Sequence, residues 1–147
     1  MSVIRRFEKK LMELKKAINP TIEQTVNRTK PLIIDEQTNG QMFKGEDANG
    51  KQFVPSYALS TKVVKKKKGQ PTNRVTLKDT GDLYDSIKVE AKTTEFIISA
   101  NVEYFKYLVT KYDQNIILGL QEDFLEQYTK QAILPNLKRK WIQIIRS

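Results

Sequence analysis

Two short segments, SIKVEAK over residues 86–92 and EFIISANV over residues 95–102, carry β-branched residues in alternation or in clusters and are separated only by Thr93-Thr94. Such side chains suit a pleated, half-buried surface, so two runs joined by two residues predict an antiparallel hairpin. This pair constrains the fold most, because helical patterns lie on both sides of it. Strands confined to one hairpin, with helices before and after, define an α+β protein. The expectation is an N-terminal helix, a central antiparallel β-hairpin or small sheet packed on helices, C-terminal helices, and long polar loops.

Val3, Ile4, Phe7, Leu11, Leu14 and Ile18 recur at steps that are mostly three or four residues, which predicts a helix over residues 3–18 with a basic opposite face. Asn19-Pro20 is expected to end it, since the residue before proline is pushed out of the α region. A second helix through TIEQTVNRT should stop at Pro31. Asn39-Gly40 and Asn49-Gly50 are turn signals, so residues 35–52 are expected to form a long surface loop or loose hairpin. YALSTKVV (57–64) suggests one or two helical turns, and KKKKGQPTN after it is expected to bury nothing and to be mobile. Beyond the hairpin, YFKYLVTKYD suggests a short helix or an irregular aromatic segment, NIILGL a buried apolar run, and QEDFLEQYTKQAI a helix with Glu122 and Asp123 suiting its first turn. Pro135 should interrupt that pattern before NLKRKWIQII resumes it. The expected organisation is one domain over 1–147: a helical segment (1–31), a long loop region (32–76), a helix-plus-hairpin core (77–120) and C-terminal helices (121–147).

The chain of 147 residues has neither cysteine nor histidine. Ser-His-Asp and Cys-His triads and any histidine-containing metal site are therefore excluded, leaving carboxylate, lysine, tyrosine or hydroxyl chemistry. No cofactor and no metal are expected; the acidic pairs Asp35-Glu36, Glu46-Asp47 and Glu122-Asp123 lack the spacing of a calcium loop. The net charge of +9 points to an anionic partner. Its lysines and arginines are spread over the first helix, the run Lys65, Lys66, Lys67 and Lys68, and the region Lys138–Lys140. No apolar run approaches the ~20 residues needed to cross a bilayer, and the first residues interleave apolar and charged side chains. A membrane partner is not expected, and the protein is expected to act in, or be assembled in, the cytoplasm.

LKDTGDLYDSI (77–87) contains Asp79-Thr80-Gly81, the triplet of aspartic proteases. A retroviral-type protease is a dimer in which each short subunit supplies one aspartate, and Ile117-Leu118-Gly119 could pack behind the triplet. Against this, Lys78 precedes the aspartate, Asp82 takes the place of a small residue, and no Gly-rich flap is evident. Leu83 and Ile87, four apart, instead suit a helix capped by Asp79 or Thr80, with Gly81 permitting a tight start. A second alternative to a non-enzymatic protein is nucleic-acid binding through the basic first helix and Lys65–Lys68. Tyr104, Phe105, Tyr107 and Tyr112 beside Lys106 and Lys111 could offer a stacking surface, although such aromatics next to a hairpin are more often core.

Three segments in one order carry a family resemblance. ANGKQFVPSYALSTKVVKKKKG, LKDTGDLYDSI and IILGLQEDF resemble motifs of phage virion-morphogenesis or tail-completion proteins. On that alignment Gly50, Lys51, Phe53, Pro55, Leu77, Asp79, Thr80, Gly81, Leu83, Ser86, Ile87, Leu118, Gly119 and Leu120 fall on motif positions. The family's His- and Gly-containing segment after the hairpin is not matched, for YFKYLVTKY retains Tyr104 alone. The resemblance implies a non-enzymatic virion component of the neck, head-to-tail joint or tail end. It further implies a homo-oligomeric ring, hexamer or dodecamer, joining head-completion and tail components, with other phage neck or tail proteins as partners; separately, on charge alone, Lys65, Lys66, Lys67 and Lys68 are candidates for contact with DNA or another anionic partner.

Overall fold

The computed structural model describes Ser2–Ser147, apart from the side chains of Gln114 and Asn115. It is an α+β protein in which helices dominate: α1 (Val3–Asp35), α2 (Leu59–Lys67), α3 (Asp82–Ser86), strands β1 (Lys88–Ala91) and β2 (Phe96–Ser99), then α4 (Phe105–Lys111), α5 (Gln114–Ile117), α6 (Glu122–Tyr128) and α7 (Leu134–Arg146). The hairpin falls where the β-branched runs predict it. Lys92 N–H donates to Glu95 O (2.7 Å) around Thr93-Thr94, and Val89, Ala91, Phe96 and Ile98 are the more buried residues of their strands. That alternation is the period-two signature of a sheet with one covered face.

Several expected breaks are absent. Neither Pro20 nor Pro31 ends α1, which runs for 33 residues through both. A proline inside a helix orphans the carbonyl four residues earlier; here those belong to Lys16 and Asn27, both exposed residues, where water can serve as partner. The expected loop or loose hairpin over 35–52 fails only in its first part; beyond Lys44 an antiparallel bridge pairs Glu46 with Gln52 around the turn at Asn49-Gly50. Glu36–Gln41 continues the helix as a wide π-type turn, Met42–Lys44 adds a tight one, and Gln37, Thr38, Gln41 and Met42 are buried. The expected interruption at Pro135 is found, for α6 ends at Tyr128 and a second helix, α7, starts at Leu134 beside that proline. Pro135 stands in the first turn of α7, where a missing N–H is least costly, directly after a second wide turn, Thr129–Ile133.

The chain gathers into two compact units. One comprises Met1–Lys30, Glu90–Ile97 and Asp123–Ser147; the other comprises Pro31–Val89 and Ile98–Glu122. The first unit buries much polar surface. Thr21, Thr25, Val26, Tyr128 and Leu137 are its buried residues among those described; a hydrogen bond links the hydroxyls of Thr29 and Tyr128 (2.6 Å), and Asn136 Nδ2 donates to Thr25 Oγ1 (3.2 Å). The second unit holds the apolar core: Met42, Phe53, Val75, Leu83, Tyr84, Ile87, Tyr112, Ile117 and Leu118.

Candidate functional site

Residues from all three resemblance segments meet in the second unit. Phe53, Leu83, Ile87 and Leu118 belong to its buried core, and Phe53 sets its ring edge-on against Tyr112 (5.6 Å between centroids). Pro55 is exposed and follows a cis peptide bond; its carbonyl accepts a hydrogen bond from Tyr112 Oη (2.9 Å). Ser86 Oγ donates to Leu83 O (2.8 Å) and accepts from Asn101 N–H (3.1 Å), tying the end of α3 to the chain leaving the hairpin. Leu120 is half-buried.

The segment Ile117–Gln121 is held by two buried glutamines that no motif singled out. Gln37 Nε2 donates to Ile117 O (3.0 Å) while its Oε1 accepts from Gly119 N–H (2.8 Å). Four residues on, Gln41 repeats the grip, donating to Gly119 O (2.8 Å) and accepting from Gln121 N–H (2.9 Å). The match is geometric. In the wide turn Gln37 and Gln41 are close to one turn apart, so their side chains face the same way and serve backbone groups two residues apart. The two amides thus play the part of a neighbouring strand. Gly119 has φ +150°, a region closed to residues with a Cβ, and so glycine is required at this point.

The triplet segment is pinned by aromatic hydroxyls. Tyr57 Oη accepts from the N–H groups of both Thr76 and Leu77 (3.0 and 3.1 Å), and Tyr84 Oη donates to Thr76 O (2.6 Å). Together they support Leu77 at φ +55°, an uncommon conformation for leucine. Burial pushes the Tyr84 phenol well above its ordinary range.

The assignment of Asp79 as helix cap is corrected. Gly81 occupies the N-cap of α3 at φ +96° with no side-chain capping bond, and Thr80 Oγ1, one residue earlier, accepts Asp82 N–H at 3.3 Å. Asp79 turns away to pair with Lys68 Nζ (2.7 Å) and to receive Gln70 Nε2 on its carbonyl (2.9 Å). The Lys68 hydrogen bond, with further help from the Lys68 charge and Gln70, holds its carboxyl below the usual carboxylate range.

The expectation that the lysine run buries nothing fails as well. Lys65 is buried in α2, its ammonium donating to Lys78 O (2.8 Å) and Gln70 Oε1 (3.3 Å) and lying 4.8 Å from the Tyr57 ring centre. With Lys68 paired to Asp79, Lys66 and Lys67 remain the outward members of the run. Among the described residues no group of three or more metal-ligating side chains is gathered, and no helix is long and apolar enough to cross a membrane.

Because Asp79 and Lys68 are both largely exposed, their pair should contribute less than about 1 kcal/mol. The sign follows from the lowered pKa: its contribution is present above the ordinary aspartate value of 3.8 and is lost as pH falls through the lower folded value. Asp79→Asn should therefore shift the urea midpoint only slightly at pH 7. A loss of several kcal/mol would show a structural role that these contacts do not explain.

No family model, curated protein or solved structure matches this chain.

Proposed function

We propose that the protein is a structural subunit of a phage virion, at the neck, head-to-tail joint or tail end, whose work is assembly into a ring that connects head-completion and tail components. The observation that carries this is the convergence of the three resemblance segments. Residues far apart in sequence, Phe53, Leu83, Ile87 and Leu118, share one core, and Gly119 is gripped beside it by Gln37 and Gln41. Motif positions that meet in a core act as one unit of architecture. Asp79, the residue on which a protease would depend, instead spends its carboxylate on a surface ion pair. Exposed apolar side chains on α1 and α7 supply surface that a neighbouring subunit could cover.

The test is the composition of purified particles. Quantitative mass spectrometry should find the chain in every tailed particle at a fixed multiple copy number, and particles lacking it should show unjoined heads and tails. Its absence from mature particles, with joining intact, would overturn the proposal.

A further inference from the structure

The dipeptide Asn-Gly occurs twice, at Asn39-Gly40 and Asn49-Gly50, and the fold treats the two in opposite ways. An asparagine followed by glycine is open to modification by its own main chain, because no Cβ on the glycine hinders the approach. The glycine nitrogen attacks the asparagine side-chain carbonyl carbon. A C–N bond forms there, and the side-chain nitrogen leaves as ammonia, taking the glycine amide proton with it. The product is a five-membered succinimide. Water then opens the ring at one carbonyl or the other, giving aspartate or isoaspartate, the second with one more carbon in the main chain. Nothing is oxidised or reduced, and water is the only co-reactant.

Asn39 is exposed, yet its surroundings oppose ring closure. It lies inside the wide turn Glu36–Gln41, between the buried residues Thr38 and Gln41. Its Nδ2 donates to Asp35 Oδ1 (2.8 Å), and the Glu36 carboxylate fills the space that a side chain on Gly40 would take. A succinimide forces the main chain at both of its residues out of helical geometry. Here that would also require the grips of Gln37 and Gln41 on the segment Ile117–Gln121 to yield.

Asn49 stands instead at a corner. Asn49 and Gly50 are both exposed, Gly50 has φ +78°, and the Gly50 N–H donates to Asp47 O (3.0 Å) across a single turn. Opening one bond at an exposed corner costs far less than unwinding a clasped helix. We propose that Asn49 is a site of spontaneous succinimide formation that converts to isoaspartate and aspartate in the folded protein, whereas Asn39 is protected until the chain unfolds.

The position gives the reaction a structural effect. Asp47 closes the loop around Asn49: its Oδ1 accepts the N–H groups of Asn49 (2.8 Å) and Lys51 (2.9 Å), and its own N–H donates to Lys51 O (2.8 Å). Gln121 Nε2 reaches Asp47 O (3.2 Å) and Glu46 Oε2 (3.0 Å) from the clasped segment. Isoaspartate lengthens the main chain between Asp47 and Lys51, so these bonds cannot all be kept. Aspartate at the same position leaves the length unchanged.

Trypsin places the two asparagines on separate peptides, Thr29–Lys44 and Gly45–Lys51, because Lys30 precedes a proline and is not cleaved. The full chain is incubated in mildly alkaline buffer and digested at intervals. Peptide Gly45–Lys51 should give two acid products of equal mass that elute apart, at least about tenfold faster than Thr29–Lys44 gives any. In guanidinium chloride the two asparagines should convert at comparable rates, which assigns the protection of Asn39 to the fold. Equal rates in the folded protein would overturn the proposal, as would an Asn49 that stays intact there while the unfolded chain converts. Chains carrying isoaspartate, separated from fresh protein by ion exchange, should show a lower urea midpoint, and Asn49→Asp should stay near the original. A midpoint unchanged by isoaspartate would refute the structural effect.

Discussion

Gln41→Leu should lower the stability of the protein by about 3 kcal/mol, and Gln37→Leu by a similar amount, because each leaves two buried backbone groups without partners at about 1–3 kcal/mol apiece. Leucine nearly matches glutamine in volume, so the loss isolates the hydrogen bonds from the packing. Gln37 loses contact with Ile117 O and Gly119 N–H, and Gln41 with Gly119 O and Gln121 N–H. The double variant removes four bonds from one strip of chain. Against a typical total of about 5–15 kcal/mol it should be largely unfolded at 37 °C. Urea titration of the single variants, with exposed Gln24→Leu as control, decides the matter. Single-variant losses below about 0.5 kcal/mol would mean that water replaces the amides and that the clasp has no structural weight.

Leu83→Ala should cost about 3 kcal/mol, in the range found for deleting a buried leucine, while Leu83→Met should cost less than about 1.5 kcal/mol. Leu83 is 1% exposed and lies among Met42, Ile87, Tyr112 and Leu118 in the core of its unit. The comparison with Asp79→Asn matters most. Both residues belong to the same eleven-residue motif, yet the leucine change should be several times more damaging than the aspartate change. If the order were reversed, with Leu83→Ala mild and Asp79→Asn severe, the motif would be serving chemistry or recognition at the carboxylate rather than architecture.

Patterns of period were legible in the sequence; exceptions to local rules were not. The hairpin, the turns at 57–64 and the apolar anchors Leu83 and Ile87 follow from spacing, since a face repeated every two or three to four residues has one side to bury; Leu118 was marked by an apolar run and Phe53 by the resemblance alone. Pro20 and Pro31 misled because a proline's cost depends on where its orphaned carbonyl points, which spacing does not reveal. Asn39-Gly40 misled for a related reason: as a dipeptide it favours a turn, but here it sits between Gln37 and Gln41, whose four bonds to one segment outweigh the local preference. A Gln-x-x-x-Gln pair on one helical face was the available signal. It gains meaning only when an extended chain lies alongside, and that is a tertiary fact. Lys65 was hidden by its three lysine neighbours, for composition cannot tell which member of a charged run faces inward.

Four times the chain passes from one compact unit to the other, at Lys30-Pro31, Val89-Glu90, Ile97-Ile98 and Glu122-Asp123. Two of these crossings lie within the strands of the hairpin, one within α1 and one within α6. No cut at a single peptide bond can therefore release either unit as an intact, continuous piece, and no simple truncation can express one without the other. A protease would have to sever regular secondary structure to separate them. Such interweaving makes loss of one unit inseparable from loss of the whole chain's fold.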